Sequence, residues 1–218
     1  MPAGGVPDSL TWTWTPAFAY AVGLIAADGN LPKQNRNDVV FVSSDRELHD
    51  TYQHCLGVSV PVKERPGLQR EKPSYFTTIT SPTLRQLLEE IGLTPAKSKS
   101  LGPLAVPDEL FADFLRGCVD GDGSILILKP ADHRRYLSAR LFSGSERFIH
   151  WIHATVSRLT GVEGRLYRNQ QGVWRLEYAY RKGKALLDWV YYEPGLPCLK
   201  RKRARYEEYL RWTGNLAT

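Results

Sequence analysis

The chain has 218 residues, of which 42% are hydrophobic and 11% aromatic, which is enough apolar material to bury a core and excludes a disordered segment. No run approaches the roughly 20 apolar residues that span a bilayer, and the first residues lack a secretory signal, so we expect a soluble intracellular protein with no membrane partner. Three widely spaced cysteines without a Cys-x-x-Cys pair predict neither a disulfide framework nor a zinc site.

Charge is unevenly distributed along the chain. Residues 1–123 contain 11 lysines and arginines against 15 aspartates and glutamates, a net charge of −4, whereas residues 124–218 contain 18 against 8, a net charge of +10. A strongly basic half favours a polyanionic partner such as nucleic acid. A solvated basic surface is the alternative that charge alone leaves open.

The first half of the chain is predicted to contain three helices and two strand pairs. It opens with AVGLIAADG at Ala21–Gly29, an apolar helix that ends in Asp-Gly. Glycines, prolines and capping residues then delimit a strand at 38–43, a helix from about 46 to 56, strands at 59–65 and 74–80, and a helix at 82–90. The predicted order is helix, hairpin, helix, hairpin, helix.

The second half repeats this order. LRGCVDGDG at Leu115–Gly123 lies 94 positions after the first motif. The elements after it are a strand at 136–143, a helix at 145–159, strands at 164–168 and 173–180, and a helix at 182–191. The repeat therefore extends beyond the nine-residue motif. We expect a leader at 1–15, a first half at 16–95, a linker at 96–110 and a second half at 111–218.

Each motif places a carboxylate where a helix disfavours it. Asp28 and Asp122 lie at the C-terminal ends of their helices, where unpaired carbonyl oxygens and the helix dipole already carry partial negative charge. A cation is expected to offset this repulsion. Its occurrence in both copies favours a shared divalent metal site.

Small residues give each motif helix a face with little side chain. Gly23 and Ala27 share one face of the first helix, and Gly117 and Gly121 share one face of the second. Glycine inside a helix costs about 1 kcal/mol relative to alanine, so we expect these faces to pack closely together. The two helix ends would then meet and form an oxygen-rich pocket suited to Mg²⁺.

The two motifs resemble the signature helices of the LAGLIDADG homing endonucleases, and the duplicated order is similar to that family's single-chain form over about residues 16–210. The resemblance implies an α+β fold of two pseudo-twofold-related α-β-β-α-β-β-α units. Their antiparallel sheets would form a DNA-binding saddle, with the two motif helices packed at its centre. It also implies a monomeric, Mg²⁺-dependent, site-specific double-strand DNA endonuclease, or meganuclease, encoded by a mobile intron.

The resemblance assigns roles to residues at the motif ends. The family's metal-binding acidic residue precedes the final glycine of the motif, which here is Asp28 and Asp122. They would be the catalytic carboxylates holding about two or three divalent ions. Ala27 and Gly121 would add backbone carbonyls to the metals. The motif's earlier acidic position is mainly structural in the family, and only the second copy retains it, as Asp120.

The basic or amide side chains that the family adds around its metals are not matched. The ends of the corresponding strands carry Ser43 and Ser143. Four other cations are left outside the catalytic set and are expected to contact phosphate or solvent: Arg46, Lys97, Arg147 and Lys182.

Strand alternation assigns basic, polar and aromatic side chains to the open faces of the sheets, where they can read base edges or contact phosphates. For each of them a solvated side chain is the alternative. The predicted DNA-binding residues are Lys33, Arg36, Lys63, Arg65, Arg70, Lys72, Arg134, Arg135, Ser138, Arg140, Arg165, Tyr167, Arg175, Glu177, Lys200, Arg201 and Lys202. In the dense basic run that begins at Lys200, phosphate contact is expected rather than base readout. Because the halves differ in sequence, the target should be long double-stranded DNA that need not be palindromic.

Two other functions are compatible with the same fold. One is a non-cleaving nucleic-acid-binding protein, either an intron RNA maturase or a transcriptional regulator, although a pure binder has no need of two carboxylates beside a phosphate backbone. The other is an intein remnant. It is disfavoured because the printed sequence starts at Met1 and ends Leu216-Ala217-Thr218, without the residues that splicing requires.

Overall fold

The structure is a computed structural model that describes residues 6, 10–35, 37–67, 73–129 and 135–214. Four predicted DNA contacts lie outside the described residues: Arg36, Arg70, Lys72 and Arg134. Within the part described, no helix is long and apolar enough to cross a membrane.

The described elements form two units with the predicted order. The first unit contains α1 (Pro16–Asp28), β1 (Gly29–Asn30), β2 (Asp38–Ser43), α2 (Arg46–Leu56), β3 (Val62–Arg65), β4 (Ser74–Thr80) and α3 (Pro82–Ile91). The second contains α4 (Phe111–Asp122), β5 (Gly123–Leu128), β6 (Tyr136–Ser143), α5 (Glu146–Thr160), β7 (Arg165–Arg168), β8 (Trp174–Ala179) and α6 (Arg181–Val190). It is followed by α7 (Lys200–Trp212). The α+β fold class of two α-β-β-α-β-β-α units is confirmed.

Short polar residues and glycines set the helix boundaries. Ser81 and Ser145 cap α3 and α5, their hydroxyls accepting the backbone N–H of Leu84 at 3.2 Å and of Phe148 at 3.5 Å. Gly57 and Gly161 end α2 and α5 with φ of 66° and 69°, a left-handed conformation that glycine adopts without strain. These boundaries agree with those predicted.

Three elements have no range in the sequence prediction, although the predicted hairpins require the first two. β1 and β5 begin at Gly29 and Gly123, immediately after the motif helices, because both glycines are extended. A Cβ atom at Gly123 would lie 2.8 Å from the backbone oxygen of Arg140, so the neighbouring strand β6 leaves no room for a side chain there. The third is α7, which contains the basic run that the sequence indicates only as surface charge.

Each unit has one four-stranded antiparallel sheet. The strand order is β1-β2-β4-β3 in the first sheet and β5-β6-β8-β7 in the second. One face of each sheet contributes to the core, through Val39, Phe41 and Ile79 in the first and Leu141 and Leu176 in the second. The alternation predicted for β2 is therefore confirmed, and in β6 it holds except at Ser138, which lies on the opposite face but is buried.

Helices α1 and α4 pack backbone against backbone at the centre of the molecule. A Cβ atom at Gly23 would lie 2.1 Å from the backbone oxygen of Phe114, and one at Gly117 would lie 2.2 Å from the backbone oxygen of Tyr20. Real Cβ atoms do not approach so closely, so both positions require glycine. The predicted close contact of the two small faces is confirmed.

We predict that Gly117→Ala destabilises the protein, although alanine favours an isolated helix by about 1 kcal/mol. The new methyl group would clash with backbone rather than with a movable side chain, so the free energy of unfolding should fall by about 2 kcal/mol or more. Urea denaturation measures this. The control is Gly102→Ala, where the new Cβ would approach only the Arg147 side chain, at 3.4 Å, and a change below about 1 kcal/mol is expected. Equal losses in the two variants would contradict the prediction.

Candidate active site and nucleic-acid interface

The two predicted catalytic carboxylates end the two packed helices. Asp28 is the last residue of α1 and Asp122 is the last residue of α4. The Asp28 carboxylate lies against the other helix, because a Cβ atom at Gly121 would be 3.3 Å from its Oδ2. The packing at the glycines thus brings the ends of both motifs to one place.

Burial and like charge disfavour ionisation of these groups. Burial, followed by the negative charge of Asp122, raises the pKa of Asp28 to about 7. Asp122 is more open to solvent, yet loss of hydration still raises its pKa. A cation between the two carboxylates would relieve their repulsion.

A buried lysine lies at the end of each motif helix. Lys97 Nζ donates to the backbone oxygen of Ala26 at 2.9 Å and, more weakly, to that of Ala27 at 3.5 Å. Lys202 Nζ donates to the backbone oxygens of Val119, Asp120 and Gly121 at 2.8, 2.7 and 3.1 Å. Only 5% of Lys97 and 4% of Lys202 is exposed. The chain itself therefore supplies part of the positive charge that the helix ends require.

These positions change two sequence-based interpretations. The sequence predicts that Lys202 contacts phosphate from the surface, but the start of α7 packs it onto the end of α4. Lys97 is outside the predicted catalytic set, but it lies close to both aspartates. Burial lowers the pKa of Lys97, and the negative charges of Asp122 and Asp28 act in the opposite direction. Burial lowers the pKa of Lys202 to about 8. Sequence spacing does not relate the two lysines, since one lies in a 3₁₀ turn and the other in an α-helix.

The donor set fits a divalent cation. Within the described residues no hydrogen bond or ion pair engages the carboxylate oxygens of Asp28 or Asp122, so these oxygens are free to coordinate an ion. The carbonyls of Ala27 and Gly121 each accept from one lysine and retain a second lone pair. No group of three or more His, Cys, Asp or Glu side chains is assembled in the described ranges. A metal here would therefore need water or substrate oxygens to complete its coordination.

The earlier acidic position of the second motif is buried in the protein. Asp120 Oδ2 accepts the Tyr20 hydroxyl at 2.8 Å and the backbone N–H of Leu199 at 2.7 Å. Burial raises the pKa of Asp120 to about 6. These contacts connect α1, α4 and the start of α7, so Asp120 has a structural position here.

Ser43 and Ser143 have equivalent local roles. Their hydroxyls accept the backbone N–H groups of Asp45 at 3.1 Å and Ser145 at 3.0 Å. Each serine therefore fixes the turn between a central strand and the next helix. Ser143 also lines a cavity of about 100 Å³ together with Lys97 and Asp122.

The basic run also crosses between the halves. Arg201 forms two hydrogen bonds to the Asp45 carboxylate, from Nε at 2.9 Å and from Nη2 at 2.7 Å. The backbone N–H of Lys200 donates to Glu47 Oε1 at 3.2 Å, while the Lys200 side chain is 85% exposed. Of the three predicted phosphate contacts in this run, Lys200 is the one whose side chain is most open.

The open face of the second sheet holds a connected polar group. Glu177 Oε1 accepts from the Ser138 hydroxyl and from Arg140 Nε, each at 2.8 Å. The Arg175 guanidinium lies 3.4 Å from Glu177 Oε2 and 4.4 Å above the centre of the Tyr167 ring. Ser138 lies on the predicted face but has no exposed surface, so it supports Glu177 from below.

The other predicted contacts are dispersed. Lys33 is exposed in the loop after β1, and Arg65 is exposed on β3. Lys63 Nζ lies 6.0 Å from the centre of the Phe76 ring, and the Arg135 guanidinium lies 5.7 Å from the Trp212 ring. Arg165 is exposed on β7, where it pairs in register with Glu177. The structure thus gathers one cluster around Glu177 and leaves the remaining cations along the sheet edges.

We predict that the metal-free protein loses stability as pH rises from about 4 to about 7. The pKa of Asp28 is about 7 in the folded chain and 3.8 in the unfolded chain, so the folded chain binds the proton more tightly. Protonation of Asp28 therefore stabilises the fold fully below pH 3.8, and this stabilisation is lost as the pH rises to about 7. Asp28→Asn should flatten this decline in urea titrations with EDTA. Asp108→Asn is the control and should not flatten it, because Arg158 lowers the pKa of Asp108. An unchanged slope in Asp28→Asn would contradict the assignment.

Sequence comparisons give little information about the family of this chain. No family profile matches it. A 120-residue segment, 53% of the chain, is 28% identical to part of a subunit of the A-type ATP synthase of Methanopyrus kandleri, and the match spans only 11% of that protein.

Solved structures match over most of the chain. The homing endonuclease I-WcaI, bound to its DNA recognition sequence, has a TM-score of 0.62 at 11% identity, covering 89% of this chain and 88% of its own. The I-LtrWI LAGLIDADG homing endonuclease, bound to target DNA, has a TM-score of 0.58 at 12% identity, covering 91% of each chain. Full-length WhiA from Thermatoga maritima has a TM-score of 0.55 at 14% identity, covering 95% of this chain and 68% of its own. With the paired motif helices and duplicated sheets, these similarities show that the chain has the LAGLIDADG fold in its two-motif, single-chain form.

Proposed function

We propose that the chain is a site-specific endonuclease that hydrolyses phosphodiester bonds of double-stranded DNA, with Mg²⁺ held by Asp28 and Asp122. The observation that carries this proposal is the meeting of two carboxylates, which have no hydrogen bond or ion pair among the described residues, at the ends of two tightly packed helices. A nucleic-acid binder without chemistry gains nothing from carboxylates at that place, since they would repel phosphate. The fold shared with I-WcaI and I-LtrWI, both solved with DNA, supports the same function.

The side chains divide the chemical work. Bound Mg²⁺ would supply Lewis acidity and a water molecule that is acidic enough to act near neutral pH. Asp28 and Asp122 would hold that ion, and Ala27 and Gly121 would offer carbonyl oxygens to it. The two carboxylates come from different halves, so neither half alone provides the site.

The lysines supply fixed positive charge beside the carboxylates. Their ammonium groups are held by backbone oxygens, so their positions are set before any substrate arrives. Preorganised cations of this kind stabilise negative charge that develops on phosphate oxygens during hydrolysis. We propose Lys97 and Lys202 as the supporting cations.

The binding surface extends on both sides of this centre. Residues 124–218 carry a net charge of +10, and the open face of the second sheet presents Arg140, Arg165 and Arg175. The two units at 16–95 and 111–218 would each cover one half of a long target as a monomer. Because their exposed side chains differ, the target need not be palindromic. Homing of a mobile intron is the biological role that suits such an enzyme.

A non-cleaving binding protein is the alternative. WhiA has the same fold, and its N-terminal part is a LAGLIDADG domain, but it is not named as a nuclease. A transcriptional regulator or an intron RNA maturase would use the sheets and leave the carboxylates without a substrate. Cleavage assays therefore separate the two functions.

We predict that Mg²⁺ triggers cleavage of a duplex that the protein selects. Duplexes retained from a randomised library with Ca²⁺ are sequenced, and the preferred sequence is placed in a plasmid. Mg²⁺ should convert the plasmid to linear DNA, whereas EDTA or Ca²⁺ should not. Asp28→Asn and Asp122→Asn should each bind the duplex without cutting it. Asp108→Asn is the control and should cut normally, because Asp108 is an exposed linker residue that forms an ion pair with Arg158 of α5.

One result would overturn the nuclease proposal. If the unmutated protein binds the selected duplex tightly but leaves it intact with Mg²⁺ or Mn²⁺, the binding function is the correct one. If no duplex is retained and a structured RNA is bound instead, the maturase alternative is favoured.

We also predict that Lys97→Met and Lys202→Met lower the single-turnover cleavage rate on the order of 100-fold. Each substitution removes a charge from the site, so the rate should fall more than the affinity. Urea denaturation of each variant shows whether the helix ends remain intact. Lys182→Met, an exposed cation on α6, is the control. A loss confined to affinity would assign these lysines to DNA binding alone.

A further inference from the structure

The open faces of the two sheets carry different chemistry at equivalent positions. Strand register matches Val42 and Phe76 of the first sheet with Phe142 and Arg175 of the second, since Ser43 pairs with Tyr75 as Ser143 pairs with Trp174. One row further from the site, Val40 and Thr78 correspond to Arg140 and Glu177. The duplicated fold therefore presents two unlike surfaces with the same geometry.

The centre of the first surface is apolar. Val40, Val42 and Phe76 lie there on the two central strands, and Val42 is 40% exposed. Thr78 adds a further methyl group beside Val40. The cations of this face lie on its edge strand, where Lys63 is beside Phe76.

The second surface presents two arginines whose geometry is fixed. Arg140 Nε donates to Glu177, and the Arg175 guanidinium is held between Glu177 and the face of Tyr167. An arginine anchored in this way loses little side-chain entropy when it binds, and its planar fork is matched to two acceptors side by side. The Glu177 carboxylate thus orients the guanidinium groups of the two arginines.

The spacing of these rows suits the DNA duplex. Side chains two residues apart on one face of a strand are separated by about 6.8 Å. Two base-pair steps of DNA cover about the same length at about 3.4 Å each. Where a strand runs along the major groove, its successive rows would therefore meet base pairs about two steps apart.

From these observations we infer that the two half-sites are read by different chemistry: the first sheet selects thymines through their methyl groups, and the second sheet selects guanines through Arg140 and Arg175. This inference rests on the proposed binding of double-stranded DNA. Thymine is the only base that offers a methyl group in the major groove, and apolar side chains contact it. Guanine offers two adjacent acceptors, O6 and N7, which match an arginine fork.

The test uses modified bases that each remove one feature. The duplex selected with Ca²⁺ is remade with deoxyuridine in place of thymidine, which removes the methyl group, or with 7-deazaguanine in place of guanine, which removes the N7 acceptor. Each replacement is made in one half-site at a time. The half-site whose base preferences relax in Arg175→Gln is the one that the second sheet covers. Affinity is measured without cleavage, so the result does not depend on the nuclease chemistry.

Deoxyuridine should weaken binding roughly threefold per contacted methyl in the first half-site and less in the second, where Phe142 is the exposed apolar side chain of the central strands. 7-Deazaguanine should weaken binding about tenfold in the second half-site and have little effect in the first. The part of the deoxyuridine penalty that comes from the thymine beside Val42 should disappear in Val42→Ser and persist in Val42→Ile. The part of the 7-deazaguanine penalty that comes from the guanine beside Arg175 should disappear in both Arg175→Gln and Arg175→Lys, because lysine lacks the fork.

Equal sensitivity of both half-sites to either base, or penalties that persist undiminished in Val42→Ser and Arg175→Gln, would overturn the inference and leave the DNA-binding proposal intact. Failure to retain any duplex would overturn both.

Discussion

The close contact of α1 and α4 is the constraint on which the rest of the structure depends. Gly23 and Gly117 let two backbones meet where any Cβ atom would clash. This contact fixes the separation of the helix ends and therefore of Asp28 and Asp122. It also fixes the relation between the two sheets, since each sheet continues directly from one of these helices at Gly29 or Gly123.

The same contact creates an electrostatic problem that the chain solves only in part. Two helix C-termini, whose last carbonyl oxygens lack partners within the helix, converge with two carboxylates, of which Asp28 is partly buried and Asp122 is more open to solvent. Lys97 and Lys202 bind the carbonyl oxygens, but the carboxylates keep no partner of their own among the described residues, and the pKa of Asp28 rises to about 7. The remaining negative charge is the charge that the proposed cation would offset.

Local sequence signals predict much of the fold, and contacts between distant segments account for what they miss. Helices α2, α3 and α5 end where glycine adopts a left-handed conformation or begin where serine caps them, and both signals lie within a few residues. The positions of the strands directly after the motifs are not predicted, because an Asp-Gly pair is typical of a turn, whereas Gly29 and Gly123 have extended backbones. The sequence assigns Lys202 to the surface because nothing near it shows that Asp120, through Leu199, anchors the start of α7 beside α4.

The segments that carry the two buried lysines connect the halves, and these connections make the single chain more than two joined copies. The linker segment that carries Lys97 contacts the second half, where Ser145 donates to the backbone oxygen of Leu101 at 2.5 Å. Helix α7, which carries Lys202, packs mainly beside β5 of the second half and reaches the first half where Arg201 binds Asp45. Each motif helix end thus receives a lysine from a segment that contacts both halves. Because the centre depends on both halves in this way, the open faces of the sheets can differ, as they do where Phe76 of the first sheet corresponds to Arg175 of the second.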